Sequence, residues 1–481
     1  MIEVFNSYIV IRNIDKNCTQ DDVDKLFHMF SAFDKVAHKN YLETYVRFGN
    51  DVYIPGTIDP KLIQFIFPFK KLITHEDSYY IKHIEYNMKT NYRDDLQKNA
   101  ANFLLSIKKD SEIPHRMLNL KTGSGKTFVS IKFISMMKMR SIIIVDTSEL
   151  ANQRKMQFMK HSDIKEDEIH ILSGMDAVEN ANDDKYKIFI ALHKTLNMMI
   201  AEDPNSLNVL FKKLKIGIRI FDEAHTNFKN MCQILDVSDI RYNIYLTATP
   251  DRSAISEKKL YQFIFDKVPK FTQLGFENYI NIIFGHIDSR PTINQIVHVK
   301  TKYGFSIPIR ANYITEKRYK YILSSVLTVI KTLKLNERNK KVAIMLPTLN
   351  LINKLAEDVY RQYPKISIGI FTGEVAKDKR RGELEKQFIF TNDKIFDKGI
   401  DIPDLEVLIN YVPLQSRSKI EQIMGRIRNI QGLTHLYVDI ADYGFPDCRR
   451  QQKSRISFYK KKANKILELT KELANFDEEL K

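Results

Sequence analysis

Gly123, Gly125, Lys126 and Thr127 fall together in LNLKTGSGKTFVS (118–130), after an apolar strand-like run and ahead of an amphipathic one. Glycines at such spacing let backbone N–H groups turn inward around phosphate oxygens, at the positive end of the following helix. Lys126 then reaches the β- and γ-phosphates, the Thr127 hydroxyl binds Mg²⁺, and Thr122 and Ser124 complete the loop. The strict pattern has glycine at 120, where this chain carries Leu120. Such a loop needs a carboxylate at the end of another strand. GIRIFDEAH (217–225) supplies Asp222 to hold Mg²⁺ through water and Glu223 to polarise the attacking water. Together these residues point to hydrolysis of a nucleoside triphosphate with Mg²⁺.

Those side chains need strands behind them. From about residue 114 short β-branched runs alternate with longer amphipathic ones: 141–146, 187–192, 217–222, 243–248, 341–346, 366–371, 386–391 and 405–410. Four-to-six-residue apolar runs separated by helical stretches read as buried parallel strands of a doubly wound α/β sheet. They form two groups, so the reading is two α/β lobes, 89–290 and 315–445, joined by a linker at 291–314. The aromatic-rich residues 1–88 read as a small α+β module, and the basic residues 446–481 as a helical tail.

The chain has 481 residues and a net charge of +16, which favours a polyanionic partner, nucleic acid before an anionic membrane. Three cysteines without a CxxC pair offer no disulfide framework or zinc module and fit a reducing compartment. Glu3 stands where a signal peptide would be basic, and no apolar run approaches the ~20 residues of a membrane span. A soluble cytoplasmic protein is expected, in the bacterial host cytoplasm if the source is viral.

In order along the chain, the DEAH tetrad, YLTATP (245–250), FDKGIDIP (396–403) and QIMGRIR (422–428) resemble the motifs of superfamily 2 helicases and translocases. The resemblance implies two tandem RecA-like lobes and assigns further roles. RDDLQKNA (93–100) sets Gln97 against the adenine edge. His225, Thr247 and Thr249 couple hydrolysis to lobe movement. DTSELANQ (146–153) gives Thr147 and Ser148 to a nucleic-acid phosphate, although both residues are also ordinary helix caps. ALHKTL (191–196) gives His193, Lys194 and Thr195 to nucleic acid. Gly399 and Asp401 match the second-lobe nucleotide motif. The hydroxyl usual upstream of it is replaced by Asn392, with Thr391 one step earlier. Gln422 and Arg426 match the motif whose planar guanidinium meets the γ-phosphate. The usual second arginine lies three residues after the first, where this chain has Asn429, while Arg428 comes one residue early. On a helix that shift is about 100°, so Arg426 is expected to be indispensable and the role of Arg428 stays open.

The LTATP run, the module order and the basic tail with Arg455 and Tyr459 resemble UvsW-like, RecG-like and XPB-like enzymes. That resemblance implies a DNA translocase, monomeric on duplex or branched DNA, remodelling forks, Holliday junctions or R-loops. A transcript-release translocase of XPB-like or poxvirus-like type and an RNA helicase are the alternatives. Removing residues 1–88 is expected to cost branched-DNA preference more than ATPase activity. The basic tail reads equally as a phosphate-binding surface or a solvated helix face.

Overall fold

The protein is described here by a computed structural model covering the chain except residues 17, 35–38, 76–79, 110–112, 122, 182–183, 249–254, 274–278, 302–303, 338–339, 377–378, 394–401, 403, 415–416, 426, 428–434, 461–462, 470–472 and 474–481. It falls into two compact units, Met1–Gln273 and Leu274–Lys481. No helix among the described residues is long and apolar enough to cross a membrane.

The first unit opens with a five-stranded sheet in the order Val46–Phe48, Asp51–Pro55, Tyr8–Ile11, Ile2–Val4, Leu72–Thr74. Helix Gln20–Met29 starts from a Thr19/Asp22 capping box, and helix Pro60–Ile66 from an Asp59 cap with proline at its first position. The ATP-binding lobe expected from the sequence follows, as seven parallel strands. Their order is Ile169–Leu172, Ile188–Leu192, Ser141–Val145, Ile218–Phe221, Tyr242–Thr247, His115–Asn119, Lys270–Thr272. Near-continuous burial of these strands is why they read as apolar runs rather than alternating ones.

The N-terminal module shares its core with this lobe: Ile9, Val52 and Ile63 belong to the same apolar cluster as Phe211, Met231 and Phe265. A buried polar seam joins them as well. The Ser7 amide donates to Asp239 at 3.1 Å, its hydroxyl accepts from Ile240 N–H at 2.9 Å, and Asn243 bridges Ser7 to the buried Arg219. Removing residues 1–88 would strip the cover from this core, so truncation cannot separate nucleic-acid preference from folding.

His115 sits on the same seam, fully buried, with Nε2–H donating to the Asn6 carbonyl at 2.8 Å and Nδ1 2.9 Å from the Tyr245 hydroxyl. Burial drives its pKa down to about 3. An unfolded histidine binds its proton near pH 6.5, so the unfolded state takes up more protons as the solution acidifies. Stability held above pH 6.5 should therefore drain away below it, by about 2 kcal/mol between pH 8 and pH 5 for this one group. Urea unfolding across that range should be steeper in pH for the parent than for His115→Gln; identical slopes would remove His115 from the account.

The second unit is also a seven-stranded parallel sheet, ordered Ile368–Phe371, Phe388–Thr391, Lys341–Met345, Leu405–Asn410, His435–Asp442, Ile280–Ile287, Ile466–Glu468. Three sequence expectations change here. The strand Ile280–Ile287 lies on the wrong side of the expected boundary at 290, because it pairs with His435–Asp442 along its whole length. The expected linker 291–314 carries helices Ile293–His298 and, in part, Ile307–Lys317, and Arg310 from it is buried against Asp442 at 2.9 Å. The expected helical tail instead forms helix Pro446–Tyr459 and then a strand, Ile466–Glu468, that extends the sheet.

Candidate active site

Parallel strands bring their C-terminal ends to one edge of a sheet, where α/β folds bind their ligands. At that edge of the first unit, backbone bonds tie Leu120 to Thr247 at 3.1 Å, Asp222 to Ile144 at 3.0 Å and Ala224 to Leu246 at 2.9 Å. The phosphate loop leaves strand His115–Asn119 and enters helix Lys126–Met137 through Gly123 and Gly125, at φ 81° and 89°. This left-handed backbone strains any residue with a Cβ. At Gly125 a Cβ would also strike the Gln97 carboxamide. Leu120 is buried in the core behind the loop, which accounts for a large residue at the position of the missing glycine.

Gln97, expected at the adenine edge, stands beside the loop, on helix Asp95–Leu105 capped by Asp94. Its Oε1 accepts the Arg93 N–H at 2.9 Å and its Nε2 donates to the Ser124 carbonyl at 3.4 Å. Arg93 donates to the Gly123 carbonyl at 3.2 Å, and the Ser124 hydroxyl to Gln273 Oε1 at 2.7 Å. Arg93 and Gln273 thus brace the loop. Gln273 carries no local signal because it stands 149 residues from Ser124.

Lys126 is buried and donates to the Leu120 carbonyl at 2.9 Å. Thr127 follows it as the second residue of the helix. The Glu223 carboxylate lies 4.0 Å from Lys126 Nζ and 3.5 Å from His225 Nδ1, on a backbone held at φ 49°. A left-handed glutamate costs on the order of 1–3 kcal/mol, and such strain clusters at functional sites. His225 meets Thr247 across the strand ends at 2.9 Å. The tetrad and the LTATP run are therefore linked by a direct hydrogen bond, the contact a coupling role requires.

Asp222 is 2% exposed. Burial pushes its carboxyl upward in pKa against the pull of Arg154, whose Nε donates to Oδ2 at 2.7 Å and whose Nη2 pairs with the same oxygen. Oδ1 is buried without a hydrogen-bond partner among the described residues. A buried oxygen with an open lone pair beside a phosphate loop is what a divalent cation or its bound water takes up, so Asp222 fits Mg²⁺. Arg154 escaped the sequence reading because nothing in a helical run shows which strand end its side chain reaches.

The nucleic-acid candidates divide. The Thr147 hydroxyl accepts from Leu150 N–H at 3.2 Å as the cap of helix Ser148–His161. His193 and Thr195, expected to touch nucleic acid, are 4% and 3% exposed. His193 lies 3.7 Å from Asp146, and the Thr195 hydroxyl accepts the Gly174 N–H at 3.0 Å. Both brace the lobe from within, and only Lys194 of the three faces solvent. Asp146 is a hub that the sequence reading passed over, accepting also from Thr226 at 2.7 Å. A carboxylate at a strand end, as in Asp222, was its only signal.

In the second unit Thr391 is buried and donates to the Phe371 carbonyl at 2.7 Å, which leaves Asn392, half-buried after the strand end, as the candidate there. Helix Arg417–Met424 stops short of Gly425, and Ile427 is buried and turned back onto Met424 at 3.0 Å. Thr122, Thr249, Gly399, Asp401, Arg426, Arg428 and the Gln422 side chain lie outside the described residues.

Residues 89–252 match the family described as type III restriction enzyme, res subunit, and residues 324–431 match the helicase conserved C-terminal domain. The chain carries the two domains of a superfamily 2 helicase. Those domains imply hydrolysis of nucleoside triphosphate and unwinding of, or translocation along, nucleic acid. This helicase is similar to transcript termination protein A18 of Yaba monkey tumor virus, 26% identical over 75% of each chain. It is also similar to the DNA 3'-5' translocase XPB2 of Sulfurisphaera tokodaii, 24% identical over 70% of this chain and 80% of that one. Its fold overlaps S. cerevisiae Dbp5 with a TM-score of 0.54 at 13% identity, covering 88% of this helicase and 95% of Dbp5. T4 UvsW overlaps at a TM-score of 0.36, which carries no argument for the UvsW-like branch.

Proposed function

We propose that this helicase is an ATP-driven translocase on double-stranded DNA. The observation that carries the hydrolytic half is the convergence of Lys126, Glu223, His225 and Thr247 at one sheet edge, with the open oxygen of Asp222 beside them. The DNA half is supported by the names of the two relatives, a transcript termination protein and a DNA translocase. Lys126 would bind the terminal phosphates, Thr127 and Asp222 would hold Mg²⁺, and Glu223 would orient and polarise the attacking water. Mg²⁺ when bound supplies charge neutralisation to the phosphate oxygens. The His225–Thr247 bond would pass a shift at Glu223 to the LTATP strand. Arg426 is the arginine we propose for the γ-phosphate. Release of transcripts or of other complexes from duplex DNA is the favoured outcome; remodelling of branched DNA is the second reading, resting on the N-terminal module ahead of the lobes.

ATP hydrolysis measured with single-stranded DNA, duplex DNA, a four-way junction and RNA tests the assignment. Duplex DNA should stimulate most, a junction optimum would favour the branched reading, and stimulation by RNA alone would overturn the proposal.

The N-terminal module offers a separate test. Phe65 and Phe69 are 84% and 89% exposed, and Phe69 shares a cleft with Lys16 and Lys71. Exposed aromatics among lysines suit stacking on nucleic-acid bases, worth ~1–3 kcal/mol per base. The double substitution Phe65→Ala with Phe69→Ala should weaken binding of a fluorescent junction with single-stranded arms about tenfold or more, leaving hydrolysis without nucleic acid unchanged. Unaltered binding would return these rings to another partner.

A further inference from the structure

We propose that Arg154 is a built-in gate on the metal-binding carboxylate, released when nucleic acid engages the helix that carries it. The inference rests on the reading of Asp222 as the Mg²⁺ carboxylate. Arg154 places Nε 2.7 Å from Asp222 Oδ2 and pairs Nη2 with that same oxygen, in a site where the two side chains are 13% and 1% exposed. A guanidinium there and a divalent cation on the same carboxyl group repel each other at close range, with little water to screen them. Among the described residues, Lys126 and Arg154 face Asp222 and Glu223. Bringing in Mg²⁺ therefore favours withdrawal of Arg154.

The geometry supplies a way to withdraw it. Arg154 stands on helix Ser148–His161, whose cap Thr147 and first residue Ser148 are the phosphate contacts that the helicase resemblance implies. Six helical steps lead from Ser148 to Arg154, about 9 Å of rigid rod at 1.5 Å per residue, so a shift at the helix start is carried to the guanidinium. The helix is lightly anchored. Its buried side chains are Leu150, Ala151 and Phe158, whereas the neighbouring helix Lys126–Met137 buries eight. Beside Arg154, at mid-helix, Lys155 is tied at 3.1 Å to Glu166, whose carboxylate is exposed. The gate would make hydrolysis wait for nucleic acid: without it Arg154 competes for Asp222, and with it the carboxylate is free.

Arg154→Met keeps length and removes charge; Arg154→Lys keeps charge and loses the forked contact. Two readouts are needed on the full chain, with thermal unfolding confirming that each variant folds. In the first, a fluorescent ADP analogue is bound while Mg²⁺ is titrated without nucleic acid. Arg154→Met should reach half-saturation at about tenfold lower Mg²⁺, and Arg154→Lys should lie between it and the parent. In the second, ATP hydrolysis is compared with and without duplex DNA. Arg154→Met should raise the rate without DNA about tenfold, leave the DNA-stimulated rate within twofold, and so flatten the ratio. An unshifted Mg²⁺ titration overturns the gate, as does an equal loss of both rates. If Arg154→Met fails to fold, the Mg²⁺ midpoint of Arg154→Lys decides in the same way. A parent protein that no nucleic acid stimulates would instead overturn the translocase reading, a result separable from these.

Discussion

Replacing Lys126 with alanine should abolish ATP hydrolysis, by on the order of 10³-fold, while nucleic-acid binding stays within a few-fold of the parent. The magnitude follows from the removal of one preorganised positive group at a developing phosphate charge, typically worth 10²–10³-fold or more. Folding should survive. Lys126 is the first residue of its helix, where alanine is a good helix former, and its partners include the Leu120 carbonyl and, at 4.0 Å, the Glu223 carboxylate. Phosphate release measured with saturating DNA, alongside DNA binding by fluorescence anisotropy, checks both halves. Retained turnover would sink the phosphate-loop assignment; lost DNA binding would mean that Lys126 supports the lobe rather than the nucleotide.

Arg455→Met should destabilise the second unit by about 3–5 kcal/mol, the usual effect of removing one partner of a buried ion pair. Arg455 is 3% exposed. Its Nε and Nη2 each lie 2.7 Å from the two oxygens of the buried Asp439, its Nη1 donates to the Leu414 carbonyl at 2.8 Å, and Tyr459 donates to Asp439 at 2.8 Å. Removing the guanidinium leaves a carboxylate uncompensated in the core. Calorimetry of the full chain should show one transition falling by roughly 10 °C, at about 2–4 °C per kcal/mol for a unit of this size. Pairing Arg455→Met with Asp439→Leu should recover part of the loss, because no lone charge remains. By sequence Arg455 belongs to a basic tail that reads equally as a phosphate grip or a solvated helix face. On the first of these readings the variant would melt like the parent and bind DNA more weakly.

The contrast shows which parts of this protein were legible beforehand. All eight apolar runs singled out in the sequence lie over strands, because a parallel strand covered on both faces must be apolar throughout. The loop at 123–127 and the pair at 222–223 were legible for a similar local reason: phosphate binding requires left-handed glycines next to a lysine, and the carboxylate must end a strand. What was misread depended on partners far along the chain. Local pattern assigns the Ile280–Ile287 strand to the first lobe because its partner, His435–Asp442, begins 155 residues later. Arg310, read as linker, is buried by Asp442, 132 residues away.

By itself, then, the sequence determined the strands of both sheets and the two-sheet architecture, and it singled out the residues proposed to meet phosphate and metal. Each is set by backbone conformation or hydrophobic period within a few residues. Only the tertiary structure decided which charges are surface and which are core. Arg455 and His193 are withdrawn from solvent, the N-terminal module is fused to the first lobe through Ser7 and Asp239, and Arg154 is brought onto Asp222. The reason is physical: a charged side chain is buried only where a counter-charge or hydrogen-bond partner meets it, and the fold sets that meeting.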